Sequence, residues 1–571
     1  RGINGYRKRT WRLWTYRDMK ENYKDSTVKI IPLGGLGAIG KNIMLLEQGD
    51  DIIIIDCGIM FPRDEMPGID YIIPDLSYVR RNKSKVKGII LTHGHEDHIG
   101  AISFLLQEVQ APIYATKLTI GLVRSRLEER PLRYEPRFVE VKPRQIEEIG
   151  PFTVEFIRVN HSIIGSVGLA IQTVAGTIIH SGDFKIDFSS VDGEVTDIYR
   201  FADYGEKGVL LLMSDSTNSE KPGFTKSEAI LMDRLFEIFS ESKGRVIVAS
   251  FASNIQRIQQ VLDTAYKFNR KVVISGLTMQ KNIEIAQSLG FLDIKSDLII
   301  PIEKASEYPN KKIVIIGTGT QGEPMSALAR MAFGTHRHFV VEKGDTVIIT
   351  ASVIPGNERM VTNIINSLME TGANVYYDKE EEIHVSGHGS SKELKLMISV
   401  TKPKFFMPVH GEFKHLKKHA EIAESLNIKS SRIVIAKNGD VLELSKKSFK
   451  KIDRIALSEM YVDGSEVGDV AGDVIKERHL MSTEGVIFIT SVISQGMALN
   501  EPDIISKGFV SSENQKIHSM IKREIEDRIR RLLIERRKRE EIESLLSSYI
   551  KNYIYKITKR NPLIIVNVIE I

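Results

Sequence analysis

The sequence predicts an α/β protein organised in three regions, and three observations predict it. From residue 26 onward, β-branched runs such as "TVKIIPLGG" and "GKNIMLLEQGDDIIIIDCG" break at glycine turns, as half-buried and buried strands do. Between residues 229 and 385 helical and strand-like segments alternate, which at this spacing means parallel α/β layers. From residue 465 a long, heavily charged helical stretch leads into the strand-like "PLIIVNVIEI".

In chain order, residues 1–25 come first, rich in Arg and Lys and carrying both tryptophans. They read as a frayed tail, with an RNA-facing basic arm or the remnant of a targeting peptide as alternatives. Residues 26–228 carry the first strand-rich part. There, "PLGGLGAIGKN" raises the question of a phosphate cradle, but its spacing does not fit G-x-G-x-x-G before a helix, so it reads as a tight turn between strands. Residues 229–385 form the α/β insertion, 386–450 return to histidine-bearing strands and loops, 451–464 read as a linker, and 465–571 form a small α+β domain. In that last part Ile521, Ile525, Ile529 and Leu532 make a narrow helical apolar stripe, expected to pack on the domain's own sheet or to form an oligomer contact.

Bulk composition narrows the function classes. The chain has 571 residues, 42% hydrophobic and 27% charged, enough for several domains. A net charge of +5 tolerates a polyanionic partner without demanding one. The one cysteine, Cys57, excludes an intrachain disulfide framework and a thiolate zinc knuckle, and suits a reducing compartment. No apolar run reaches the ~18 residues of a membrane-spanning helix.

The chemistry concentrates in "LTHGHEDHIG". His93, His95, Asp97 and His98 follow an apolar strand and precede a helical segment. In open α/β sheets, ligands bind at that end of a strand. Imidazole and carboxylate donors without thiolates suit Zn²⁺ or Mn²⁺, and residues two apart on a loop can face one ion while the next pair faces another. A second ion needs further ligands. His161 after "FTVEFIRVN", Asp183 in "GTIIHSGDFKID" and His410 in "FFMPVHGE" each stand at the end of an apolar run. Asp56, ending "DIIIID", reads either as a hydrogen-bond support for a ligand histidine or as a structural turn residue.

These motifs resemble a known family. "THGHEDHIG" with His161, Asp183 and His410 is similar to the metallo-β-lactamase fold, and the return through "HVSGH" and "PVHGE" after an α/β insertion resembles its β-CASP nuclease branch. "HSGDFKIDFSSVDG", "LLMSDSTNSEKPGFTKSE", "FASNIQRIQQV", "GTGTQGEPMSALARMAFGTHR", "IPGNE" and "KPKFFMPVHGEFKHLKKHA" resemble ribonuclease J from about residue 28 to 445, and more loosely beyond. The resemblance implies an αββα sandwich, an inserted β-CASP domain and a small C-terminal α+β domain.

It also implies a site. His93, His95 and His161 would hold one divalent ion, Asp97, His98 and His410 the other, with Asp183 bridging. The ions would be Zn, with Mn or Mg as alternatives. His388 would serve the leaving oxygen as acid, and Ser253, His384 and His388 would form a pocket for a nucleotide phosphate. For Ser253, a helix N-cap ahead of "NIQRIQQV" is the structural alternative. The implied activity is hydrolysis of single-stranded RNA, 5′→3′ from monophosphorylated ends and also internally, in RNA processing and decay. A homodimer or homotetramer, a paralogue or RNA helicase partner, and a cytoplasmic or organellar setting such as a plastid follow from the same resemblance.

The chain departs from the family pattern at Ala38, Gly165, Leu277, Thr278 and Thr320. None is a ligand, so the departures bear on substrate affinity rather than hydrolysis. Rival readings are a small-molecule hydrolase of the same fold, a DNA-processing β-CASP nuclease, and a non-catalytic RNA-binding partner subunit. The first leaves the insertion and His388 unexplained, and the last conflicts with a complete ligand set.

Overall fold

The computed structural model describes residues 26–63, 66–190, 193–320, 326–351, 357–377, 383–464, 466–468, 472–494, 497–498, 501–509, 515–535 and 537–571. Residues 1–25 lie outside these, as does the basic extension expected there. By contacts the chain divides into two units. One runs up to Met60 and then covers Ile73–Ser458; the other comprises Phe61–Ile72 and Glu459–Ile571.

The first unit contains two stacked sheets. One has eight strands in the order Phe449–Arg454, Asp440–Ser445, Thr27–Gly34, Ile43–Gln48, Asp51–Ile55, Val86–Ile90, Ile113–Ala115 and Phe138–Glu140. The other has six, in the order Phe405–Val409, Val209–Asp215, Thr177–His180, Val167–Gln172, Phe152–Arg158 and Ile146–Ile149. Alternation along the strands turns Ile30, Ile53 and Ile55 of one sheet toward Phe152, Phe156, Leu169 and Met213 of the other, in one buried cluster. Each such side chain contributes roughly 1.5–3 kcal/mol relative to exposure. Helices Ile198–Lys207, Ser391–Thr401 and Phe413–Ser425 cover the outer face of the second sheet through Phe201, Leu394, Met397 and Ile422. This is the sandwich that the motifs imply.

The insertion forms its own parallel sheet, ordered Lys271–Ser275, Ile313–Gly317, Val246–Ala249, Thr346–Ile349 and Asn374–Tyr376. Its central strands are apolar on both faces, as a sheet covered by helices on both sides requires.

Direction matters more for function than count. Asp51–Ile55 runs parallel to Val86–Ile90, and Thr177–His180, Val209–Asp215 and Phe405–Val409 run parallel to one another. Phe152–Arg158, two antiparallel steps from Thr177–His180, shares their direction. The carboxyl ends of these strands therefore lie together within each sheet.

In the second unit, Val486–Ser494 pairs antiparallel with Asp503–Lys507 and parallel with Leu563–Glu570. Helices Gln515–Ile534 and Arg539–Thr558 pack on this sheet, burying Ile521, Ile525, Ile529 and Leu532 against Ile487 and Ile489. Two boundaries differ from the sequence reading. The span 451–464, expected as a linker, carries most of the strand Phe449–Arg454 and all of Met460–Asp463. Residues 61–72 belong with the C-terminal unit: the Asp70 amide donates to the Val462 carbonyl at 2.8 Å, and the Asp70 carboxylate accepts from the Gly464 amide.

Candidate metal centre

Six strand ends deliver the polar groups. Asp56 follows Asp51–Ile55, the His93–His98 loop follows Val86–Ile90, and His161 follows Phe152–Arg158. Asp183 follows Thr177–His180, Asp215 ends Val209–Asp215, and His410 follows Phe405–Val409. Two of these turns are strained: Asp56 has φ 61° and His410 φ 53°, left-handed values that non-glycine residues adopt at a cost of ~1–3 kcal/mol.

The ring nitrogens converge in two groups. His93 Nε2 and His161 Nε2 each stand 3.1 Å from His95 Nδ1. His98 Nε2 and His410 Nε2 each stand 3.2 Å from Asp183 Oδ2, and Asp97 Oδ2 lies 3.5 and 3.7 Å from the same two nitrogens. Asp183 Oδ2 is also 3.8 Å from His93 Nε2 and from His161 Nε2, so one carboxylate serves both groups.

On their far sides three of these rings, His93, His98 and His161, have a hydrogen-bond partner for the Nδ1 proton. Thr92 Oγ1 donates to Asp56 and so accepts from His93 Nδ1 at 3.1 Å. His98 Nδ1 donates to Asp56 Oδ2 at 2.7 Å, and His161 Nδ1 donates to the Gly387 carbonyl at 2.8 Å. With those protons committed, His93 Nε2 and His161 Nε2 both turn lone pairs toward His95 Nδ1, and a third lone pair there would complete a donor set. Such an arrangement is repulsive unless a cation lies among them, and the donor types match a borderline-soft divalent ion. His93, His95 and His161 form one set that could hold an ion, and Asp97, His98, Asp183 and His410 a second.

Electrostatics agrees. Burial holds His93 and His161 well below their ordinary range and brings His95 to about 4, so these rings are neutral and ready to bind a cation. Burial also opposes charge on His410, but Asp183, Asp215 and Asp97 outweigh it and push the ring up to about 9. Burial would raise Asp183, yet His410 and His98 hold it well below the carboxylate range. In this second group a proton stands where a metal ion would.

His388 lies beside the cluster. Its Nδ1 is 2.7 Å from Asp215 Oδ2 and 3.9 Å from Asp183 Oδ2. Its carbonyl accepts from Asn218 Nδ2 and Thr225 Oγ1, which fixes the loop. His384 is farther into the junction with the insertion: its Nδ1 faces the Thr350 carbonyl at 3.2 Å, and burial holds it neutral, at about 4. Ser253 lies in the turn before helix Ile255–Lys267, but the N-cap is Asn254, whose side chain accepts from the Arg257 amide. The capping role considered for Ser253 therefore belongs to its neighbour.

Several contributors escaped the sequence reading. Asn42, from the glycine-rich turn, reaches the Asp97 carbonyl at 3.0 Å and His98 Nε2 at 3.1 Å. That turn thus braces the metal loop. Gly58 permits the same approach, since a Cβ there would lie 1.6 Å from the Asp97 carbonyl oxygen. Asp215 had a readable signal, an acid ending the apolar run "VLLLMSD". Glu96, in the His93–His98 loop, forms an ion pair with Arg126. Of the family departures, Gly165 adopts φ 83°, Leu277 is exposed at the start of its helix, and Thr320 is buried.

Fold and donor set together define the class: a metal-dependent hydrolase of the metallo-β-lactamase superfamily, whose family model matches residues 36–217. Further models match the ribonuclease J β-CASP domain at 243–368, a Zn-dependent metallo-hydrolase RNA specificity domain at 373–431 and the ribonuclease J C-terminal domain at 473–571. A ribonuclease J of Helicobacter pylori is 43% identical over 494 residues, 86% of this chain and 72% of the relative. One from Thermus thermophilus is 39% identical over 550 residues, 95% of both. A crystal structure of a protein of unknown function from Enterococcus faecalis shares the fold, with TM-score 0.53 and 16% identity over 73% of this chain and all of that one. The chain belongs to the ribonuclease J family.

Proposed function

We propose that this protein hydrolyses phosphodiester bonds of single-stranded RNA with two divalent ions, Zn first and Mn or Mg as alternatives. It works 5′→3′ from monophosphorylated ends and also cuts internally, in RNA processing and decay. The observation that carries the reading is the pair of converging donor sets sharing Asp183, with His388 held beside them. His93, His95 and His161 hold one ion; Asp97, His98 and His410 hold the other, and Asp183 serves both.

When bound there, divalent ions would supply a water of lowered pKa, toward ~7, and positive charge for the scissile phosphate. The protein's own groups do the rest. Asp56, Thr92 and the Gly387 carbonyl lock the ligand rings in one tautomer and orientation. Asp215 accepts from His388 Nδ1 and stabilises the imidazolium, whose Nε2–H would pass its proton to the departing 3′-oxygen and leave the neutral ring. Ser253, His384 and His388 receive the 5′-terminal phosphate, one nucleotide from the cut.

The reading extends to a homodimer or homotetramer, with a paralogue or RNA helicase as further partners, in the cytoplasm or an organelle such as a plastid. Among the described residues no helix is long and apolar enough to cross a membrane. The test is the product ladder from RNA and DNA oligomers of one sequence, each with a 5′-monophosphate, in the presence of Mn²⁺, Mg²⁺ or Zn²⁺. Mononucleotides and some internal fragments from RNA are expected. Preferential loss of DNA, or RNA binding without cleavage, would contradict the proposal.

A further inference from the structure

Behind the metal centre lies a second cluster of charged side chains that the hydrolytic mechanism does not use. Two residues beyond Asp183, Lys185 Nζ lies 3.3 Å from Asp187 Oδ2 and 3.6 Å from Glu228 Oε1. Glu228 Oε2 accepts from Arg257 Nη2 at 2.8 Å, and its amide donates to Asp187 Oδ2 at 3.1 Å. Arg257 Nη1 donates to the Thr350 carbonyl at 2.7 Å, and His384 Nδ1 faces that same carbonyl. All four charged residues are less than 5% exposed, and Arg257 is wholly buried.

The chain positions of these residues give the cluster its meaning. Lys185 and Asp187 extend from the strand end that supplies Asp183. Glu228 stands where the chain leaves the sandwich for the insertion, and His384 where it returns. Arg257 opens the first helix after the insertion's leading strand, and Thr350 follows the carboxyl end of Thr346–Ile349.

A joint built only for stability would be apolar. A buried ion-pair network costs desolvation that well-packed hydrophobic residues avoid, so it is weak as glue, while removing one partner leaves an uncompensated buried charge. Its geometric demands are strict, because each donor must meet its acceptor at one relative placement of the two domains. Among the described residues, Lys185 Nζ, Arg257 Nε and Glu228 Oε1 have no hydrogen-bond partner, which deepens the cost without adding cohesion.

We propose that Arg257 and Glu228 are positioning residues that hold the inserted domain, and His384 with it, at a fixed reach from the metal cluster, and that this register couples cleavage to the RNA 5′ end. The inference rests on the ribonuclease reading above. Internal cutting uses the metals without the phosphate pocket and does not need the register. Release of mononucleotides from a 5′ end needs both at one spacing, and a misplacement of ~1 Å can cost ~10²-fold.

The experiment compares wild type, Arg257→Met, Arg257→Lys and Glu228→Gln in the full-length, metal-loaded protein. Three readouts are taken: mononucleotide release from 5′-monophosphate RNA, cutting of a circular RNA of the same sequence, and bound metal per chain. In Arg257→Met and Glu228→Gln, mononucleotide release falls at least tenfold, while circular RNA cutting and metal content stay within twofold of wild type. Arg257→Lys recovers part of the loss. If Arg257→Met does not fold, Glu228→Gln carries the test, since it keeps shape and removes only charge. Equal loss on linear and circular RNA, or loss of metal, overturns the inference, as does unchanged mononucleotide release. A wild-type protein that cuts circular RNA but releases no mononucleotides refutes the 5′-end reading itself, and the inference with it.

Discussion

Gly387→Ala tests how the returning loop braces the candidate metal centre. The glycine lies on the returning loop, and its carbonyl accepts the His161 Nδ1 proton at 2.8 Å. A Cβ at this position would lie 2.7 Å from His161 Nδ1 and Cε1 and 2.8 Å from the Ser162 amide nitrogen. Ordinary contact begins at 3.4 Å, so about 0.7 Å must be made up by moving the ring or the loop. Metal–ligand distances tolerate about ±0.2 Å. Disturbing a hydrogen bond that orients a ligand histidine costs typically ~10–100-fold in metal affinity, or ~1.4–2.7 kcal/mol. The loss is expected at an ion bound by His93, His95 and His161, because the atoms nearest the added Cβ belong to His161 and Ser162. Competitive titration with a chromogenic zinc chelator resolves the two sites. One class of site weakened ~10–100-fold and the other unchanged is expected. Two unchanged sites, or equal weakening of both, would refute the reasoning.

Three further outcomes are expected. Asp97→Ala abolishes RNA turnover with little loss of RNA binding in a filter assay, because its carboxylate faces His98 and His410 while phosphate contacts elsewhere hold the strand; retained turnover would remove Asp97 from the ligand set. Asp215→Asn removes the charge that orients His388, a charge-assisted hydrogen bond worth ~1.5–3 kcal/mol, so single-turnover cleavage slows ~10–150-fold at unchanged metal content; metal loss would make Asp215 a ligand. His419 is buried against Phe406 and Ser216, and burial brings it down to about 3. The unfolded ring titrates near ~6.5, so this contribution is complete above that pH and is lost as pH falls toward the folded value. Between pH ~6.5 and ~5 wild type loses ~2 kcal/mol relative to His419→Gln, read from urea melts of metal-free protein. Parallel pH dependences would contradict this.

The convergence of the candidate ligands was largely legible because they are local signals: acids and histidines that end apolar runs. Strand direction then did the assembly, since parallel neighbours place their carboxyl ends together. What stayed hidden depends on contacts between distant segments. Asn42 and Gly58 matter only because the first strands bring them against the Asp97 loop, and Gly387 only because the return from the insertion passes His161. The N-cap fell to Asn254 rather than Ser253, a shift of one residue that local composition does not decide. The C-terminal unit's claim on residues 61–72 rests on pairing of a short strand and on Asp70 meeting Gly464, 394 positions away, for which no periodicity can speak.

The ion count decides most directly whether the two donor sets work as one centre. Metal-free protein is titrated with Zn²⁺ or Mn²⁺ while hydrolysis of a 5′-monophosphate RNA is followed. Activity is absent without metal and reaches its plateau at two equivalents per chain. A plateau at one equivalent, or turnover that persists under a strong chelator, would contradict a shared two-ion site bridged by Asp183.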